Sequence, residues 1–327
     1  FLQHKYIDTG ALPCAQLVVH RRGELAHQSV LGLADRERVR LLAEDAIFRI
    51  YSMTKPVTSV ALMMLWEEGL IALDDPVHRY IPAWEGLGVY GSGLPGAWIA
   101  RPPAQPMRVV DLLRHTSGLT YGFQNRTNVD AAYRKAKIND FATPGGLEQM
   151  VADLAKIPLE FSPGASWNYS VSTDVVGRLV EIVSGQPLDA FFQERIFSPL
   201  GMADTGFHVP EDKAHRLPAC YALDAAGKVV LQDDPTTSPY LRKPALLSGG
   251  GGLVSTAADY LRFTRMLLGG GALEGVRILS RKTLRLMTLN HLPGGKQLTE
   301  LSQSLFSEAA YEGLGFGLGF AVNVDPA

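Results

Sequence analysis

The sequence predicts an α/β fold class, a sheet domain interrupted by a helical one. Three observations carry the prediction. Strand-like stretches stand at both ends of the chain, over 14–32 and in "YEGLGFGLGFAVNV" over 311–324. Between them apolar residues recur at helical spacing. Neither repeats nor low-complexity linkers divide the 327 residues, which are 46% hydrophobic and 20% charged, enough to bury a sizeable core. Boundaries drawn from this alternation assign 1–75 and 235–327 to the α/β domain and 76–234 to the helical one.

Taken in order, "CAQLVVH" and "ELAHQSVLG" have strand composition and are parted by "RRG", so 14–32 reads as a β-hairpin. In "FRIYSMTKPVTSVALMMLWEEGLIALDDP", residues 48–76, apolar residues at 57, 60, 61, 64 and 65 mark one face of a helix that stops near Gly69. Pro56 limits where that helix starts, because proline is tolerated in a first turn, whose N–H groups lack intrahelical acceptors, and is costly deeper in. Ser52 to Lys55 therefore stand at or just before the helix N-terminus. Over 84–106 the chain turns rich in glycine, proline and aromatics, the composition of a long surface excursion, either a pocket wall or a plain insertion. Further helices are expected over 109–115, 146–156, 172–184 and 187–197. In the third, Val175, Val176, Leu179, Val180 and Val183 make a core-facing stripe; in the fourth, Pro187 takes a first-turn position. "STAADYLRFTRMLLGGG" adds another, with Ser255 or Thr256 as N-cap and glycine at its C-terminal end. The closing stretch alternates glycine with larger apolar residues, which suits a strand packed closely against other backbone.

A formal charge of -2 gives no electrostatic reason to expect nucleic acid or an anionic membrane as partner, which leaves small neutral molecules as the default. No run of about twenty apolar residues occurs and no secretory pattern opens the chain, so a cytoplasmic location is expected. Because the sequence begins at Phe1 rather than at a methionine, a removed leader stays open. Cys14 and Cys220 belong to no C-x-x-C pair and read as small buried core residues, with neither a disulfide framework nor a zinc site indicated. The eight histidines show no metal spacing, and neither metal nor cofactor is expected.

The chemistry centres on Ser52 and Lys55. Residues at i and i+3 share a helix face, so hydroxyl and amine can come within hydrogen-bonding reach. A neutral amine there takes the serine proton and makes an alkoxide nucleophile. An ordinary lysine, with a pKa of about 10.4, is charged at neutral pH, and holding it neutral near pH 7 takes roughly 4 kcal/mol. The partial positive charge of the helix N-terminus works in that direction, and its free N–H groups can face an oxyanion. Spacing alone remains weak: a chain with 18 serines and 10 lysines contains about 0.55 such pairs by chance. A helix-capping serine beside a solvated lysine explains the pair equally well.

Beyond that tetrapeptide, "FRIYSMTKPVTSVALMMLWEEGLIALDDPVHRYIP" resembles the active-site serine segment of the serine β-lactamase and penicillin-binding-protein superfamily. It is most similar to the class C β-lactamase-like branch that includes the family VIII carboxylesterases. Three further stretches agree in order and spacing: "VVDLLRHTSGL" over 109–119, "FSPGASWNYSVSTDVVGRLVEIVSG" over 161–185 and "SGGGGLVSTAADYLRF" over 248–263. The resemblance implies a β-lactamase/DD-peptidase-like fold, an α/β domain with an antiparallel sheet flanked by helices and an all-helical domain, with the active site in the cleft between them. It also implies Ser52 as nucleophile, Lys55 as general base and Tyr169, in "NYS", as the tyrosine that shares the base role and passes a proton to the leaving group. Read from the residues alone, Tyr169 precedes a helix start at Ser170 or Ser172, a place from which a phenol can enter a cleft or pack against Trp167. Tyr121, just after "HTSGL", is a further candidate for substrate binding.

Two departures from the family pattern matter. The β-lactamases carry an asparagine two residues after that tyrosine, where it meets the substrate amide; Val171 takes this substrate-binding position here. Losing an amide that can hydrogen-bond a lactam side chain weakens a dedicated β-lactamase reading and fits the esterase branch. The family's third motif, K-T-G in β-lactamases and W-G-G or H-x-G in the esterases, follows a strand like "FGLGFAVNV" and is not reached before Ala327. A C-terminal part is therefore expected to follow.

The resulting expectation is a cofactor-independent serine carboxylesterase (EC 3.1.1.-) cleaving short-chain acyl esters, with side activity on β-lactams because both reactions pass through an acyl-serine. A β-lactamase or D-amino-acid peptidase, an acyltransferase with the same site and a non-catalytic scaffold protein stand as rivals, and the oligomeric state is not readable. Other constellations point elsewhere. No serine sits in G-x-S-x-G. His115, near a helix end, reads as structural rather than as a triad base. Gly249 to Gly252 lacks the lysine of a phosphate-binding loop and reads as a tight turn before a capped helix. Asp74 and Asp75 read as an N-cap ahead of Pro76 at N1.

Overall fold

The computed structural model describes residues 1–302 and 312–324. Tyr311 and 325–327, assigned above to the C-terminal sheet segment, lie outside the described residues. Strands β1 (Cys14–Arg21) and β2 (Glu24–Asp35) form the expected hairpin, with Cys14 opposite Gly32 and Arg21 opposite Glu24. Its two turn residues, Arg22 and Gly23, both have positive φ, the conformation whose twist matches a two-residue hairpin. A short β3 (Arg40–Leu41) adds to β2. Strand β4 (Phe48–Arg49) then leads through a 3-10 turn at Tyr51–Met53 into helix α1 (Thr54–Glu67).

Helix α1 runs through the middle of the main core. The expected one-sided stripe is broader in the structure: Thr58, Ser59, Leu62 and Met63 are buried as completely as Val57, Val60 and Ala61. Pro56 is the third helical residue, inside the first turn. The helix ends at Gly69, whose φ of +73 lets the Leu70 N–H reach back to the Leu65 carbonyl.

The middle of the chain holds β5 (Val89–Leu94), β6 (Ala97–Arg101), α2 (Val109–Leu113), α3 (Asn128–Lys135), α4 (Gly146–Leu154) and α5 (Ser172–Ser184). Next come α6 (Leu188–Phe192), continued by a π-turn to α7 (Ser198–Leu200), and a hairpin of β7 (Cys220–Leu223) and β8 (Val229–Asp233). The stretch 76–234, assigned above to the helical domain, also carries two hairpins. The glycine-rich excursion supplies the first, turning at Pro95 and Gly96, and Asp224 closes the second by accepting the Ala226 and Lys228 N–H groups. Pro187 caps α6 rather than entering its first turn. Asp75 does not cap a proline-led helix either: its carboxylate accepts from Ala72 N–H, Arg79 and the Tyr80 hydroxyl, while Pro76 itself precedes a 3-10 turn.

The last part contains β9 (Val254–Ser255), α8 (Ala257–Leu268), β10 (Ala272–Leu273), β11 (Val276–Arg277), α9 (Arg281–Met287), α10 (Leu298–Leu301), β12 (Leu314–Phe316) and β13 (Ala321–Asn323). Thr256 is the cap of α8, its hydroxyl accepting the Asp259 N–H. The single strand expected at the C-terminal end is instead a β12–β13 hairpin, because Gly319, at φ +92, reverses the chain where an added Cβ would strike the Ser59 side chain. Strand pairs of the named sheets are antiparallel. Cys14 and Cys220 are free and half-buried rather than core residues; the Cys220 Sγ lies 3.4 Å from the Tyr51 hydroxyl.

Candidate active site

Two short strands set the site. Pairing of β4 with β9 puts Phe48 opposite Ser255 and Arg49 opposite Val254, and the Ile50 N–H donates to the Leu253 carbonyl at 3.0 Å. The segment entering α1 is thereby held against the glycine run. Tyr51 then adopts φ +42, a left-handed conformation that costs a bulky residue about 1–3 kcal/mol. That turn leaves Ser52 exposed at the helix start, while Lys55, one turn on, is only 5% exposed. The Lys55 amine lies 3.1 Å from Ser52 Oγ and 2.6 Å from the Gly250 carbonyl oxygen.

Tyr169 reaches the same hydroxyl from just ahead of α5, its phenol 2.5 Å from Ser52 Oγ. Its backbone carbonyl accepts from Gln124 at 2.6 Å, and its ring packs against His115, Tyr121 and Trp167. The Lys55 amine sits 4.4 Å from the centre of the Tyr169 ring.

Burial pulls the Lys55 amine down to about 8, against an opposing pull from the Asp174 carboxylate. Asp174 is fully buried on α5. Burial holds its carboxyl above the ordinary range, opposed in part by Lys55 and by hydrogen bonds from Ser248 and Gly250. Both bonds end on Oδ1, from the Ser248 hydroxyl at 2.5 Å and from the Gly250 N–H at 3.0 Å. His115 is 1% exposed, and burial, followed by the Lys55 charge, lowers it to about 3, which makes it neutral. Its Nδ1 faces Ser170 Oγ at 3.2 Å, not Ser52, in keeping with a structural role.

The structure thus brings Ser52, Lys55 and Tyr169 together and buries the side chains of the other two candidates, Val171 and Tyr121. Val171 is 1% exposed in the core at the start of α5, so its side chain does not face a cleft. Tyr121 is 6% exposed and stacks on Phe123 beneath the Lys55 amine, whose distance from the Tyr121 ring centre is 5.4 Å; it underlies the site rather than lining its open side. Sequence reasoning missed Asp174, Ser248 and Gly250. One signal was available, a carboxylate in "STDVV" beside the core stripe of α5, where an unpaired acid is costly.

Fold and site together define a serine hydrolase on the β-lactamase/DD-peptidase-like fold. The chain belongs to the Beta-lactamase family, whose model matches residues 3–326. It is 37% identical over 320 residues to Protein Rv1367c of Mycobacterium tuberculosis, a match spanning 98% of this chain and 77% of that protein. Esterase EstB of Burkholderia gladioli is 36% identical over 207 residues, spanning 62% of this chain and 49% of EstB. Among solved structures, EstCE1, described as a hydrolase with promiscuous acyltransferase activity, superposes with a TM-score of 0.80 at 28% identity, covering 99% of this chain and 81% of that one. These likenesses agree with the esterase-like branch of the superfamily. Among the described residues, no helix is long and apolar enough to cross a membrane, and no group of three or more His, Cys, Asp or Glu is placed to hold a metal ion.

Proposed function

We propose that the protein hydrolyses carboxylic esters of short acyl chains through an acyl-serine intermediate on Ser52. The triangle of Ser52 Oγ, the Lys55 amine at 3.1 Å and the Tyr169 phenol at 2.5 Å carries this reading. Neutral Lys55 takes the hydroxyl proton as Oγ bonds to the ester carbonyl carbon, and the carbonyl electron pair moves onto oxygen. The Ser52 N–H, at the positive end of α1, stabilises that oxyanion. Collapse breaks the bond to the leaving alcohol, whose oxygen takes its proton through Tyr169. Water, deprotonated by the same pair, then attacks the acyl carbon and releases the carboxylic acid with Ser52 restored. With Lys55 near 8, about a tenth of the amine is neutral at pH 7, far more than for an ordinary lysine.

Esters are favoured over β-lactams because EstB carries the name esterase and because the buried Val171 offers a lactam side chain no hydrogen-bonding group. Exposed Tyr51 and Met53 flank the nucleophile with apolar surface suited to an acyl chain. A non-catalytic scaffold has no need of two groups within hydrogen-bonding reach of one serine hydroxyl. The test is hydrolysis of p-nitrophenyl esters of two to eight acyl carbons, beside a chromogenic cephalosporin, by the parent and Ser52→Ala. Turnover of the shorter esters that vanishes in the variant supports the reading, and turnover no greater than the variant's defeats it.

The description of EstCE1 favours a second reading, acyl transfer from the same intermediate. Adding an alcohol acceptor and separating the products decides the balance: more transferred ester than free acid assigns a transferase.

A further inference from the structure

Asp174 is a buried acid with an incomplete set of partners. It lies on α5 at 0% exposure, Oδ1 accepts from Ser248 and Gly250, and Oδ2 accepts no hydrogen bond. Leaving a carboxylate oxygen buried without a donor is costly, and an asparagine would serve a purely architectural role at lower cost. Gly250 faces both groups: its N–H donates to Asp174 and its carbonyl accepts from the Lys55 amine. An added Cβ on Gly250 would run into Asp174 Oδ2, so only glycine lets the carboxylate and the carbonyl hold this arrangement.

Resting on the acyl-serine reading above, we infer that Asp174 is a positioning residue, which fixes the Gly250 carbonyl on the Lys55 amine and supplies the buried negative charge that sets how readily the amine takes up a proton. The other groups around the amine are Tyr121, Tyr169 and His115, along with Ser52. His115 is neutral and both tyrosines are phenols, so Asp174 is the anion whose field the lysine feels. That charge favours the ammonium form and opposes the effect of burial. It leaves Lys55 basic enough to pull the serine proton, whereas burial alone would leave a weaker base.

The test uses the full-length enzyme. Active-site titration with a fluorophosphonate first counts reactive serines, and then the pH dependence of kcat/KM on p-nitrophenyl acetate is measured for the parent, Asp174→Asn and Ser248→Ala. Asparagine keeps the hydrogen-bonding shape and removes the charge. The midpoint of the acidic limb is expected to fall by about one pH unit, with a lower plateau because a weaker base remains. Ser248→Ala removes a donor from Oδ1 and raises the proton affinity of the carboxyl. A smaller fall in the same direction is expected, and this variant decides the matter if Asp174→Asn gives too little folded protein. The midpoint does not depend on the folded fraction. A reactive parent whose midpoint is unmoved in the variants overturns this inference alone, while an unreactive parent overturns the acyl-serine reading and this inference with it.

Discussion

The phenol of Tyr169 lies 2.5 Å from Ser52 Oγ across a sequence separation of 117 residues. Lys55 approaches the same oxygen from three residues away on α1, so one hydroxyl is held between a local partner and a distant one. Two groups on one oxygen allow the proton to arrive and leave by different routes, as acylation followed by alcohol release requires.

Tyr169→Phe removes the phenolic oxygen and keeps the ring packing against His115 and Trp167. Ester kcat is expected to fall by about 10²–10³-fold with stability changed by less than about 1 kcal/mol. Steady-state kinetics beside a thermal melt separates the two effects.

Lys55 acts in the proposed reaction only when neutral. With the amine near 8, log kcat/KM is expected to rise with unit slope as pH climbs toward 8 and to level off above it. The sign follows from burial, which destabilises the charged form and so moves the rise below the ordinary lysine range. Lys55→Arg keeps a permanent cation at the position and is expected to abolish turnover at every pH.

Val171→Asn restores the residue type of the β-lactamases at a position that is 1% exposed. The buried amide is expected to destabilise the fold by about 1–3 kcal/mol without raising cephalosporin turnover. A gain in turnover would show that the side chain does reach substrate.

Leu179, fully buried on α5, belongs to the core shared with α1. Leu179→Ala is expected to cost about 2–5 kcal/mol in denaturant unfolding and to leave the reactive-serine count of the folded protein unchanged.

Local features of this molecule were legible in the sequence, and tertiary ones were not. The β1–β2 hairpin follows from "RRG", and α5 from its valine and leucine stripe with Gly185 behind it. Ser52 and Lys55 meet because helix geometry alone joins i and i+3. The full burial of α1 was hidden, since a helix surrounded by core gains apolar residues on every face and its period blurs. Helix α3 was missed although Thr127 and Asp130 form a capping box, because its apolar face, Val129, Ala132 and Tyr133, spans little more than one turn of a helix that is otherwise polar. The Asp174–Gly250 contact joins segments 76 residues apart, and no local period marks it.

The most direct measurement is the intact mass of the full-length protein after reaction with a fluorophosphonate, beside Ser52→Ala, with the modified peptide located by fragmentation. The acyl-serine mechanism requires one adduct per chain on Ser52 and none on the variant. A folded parent that gains no mass, or an adduct on another residue that persists in Ser52→Ala, would contradict it.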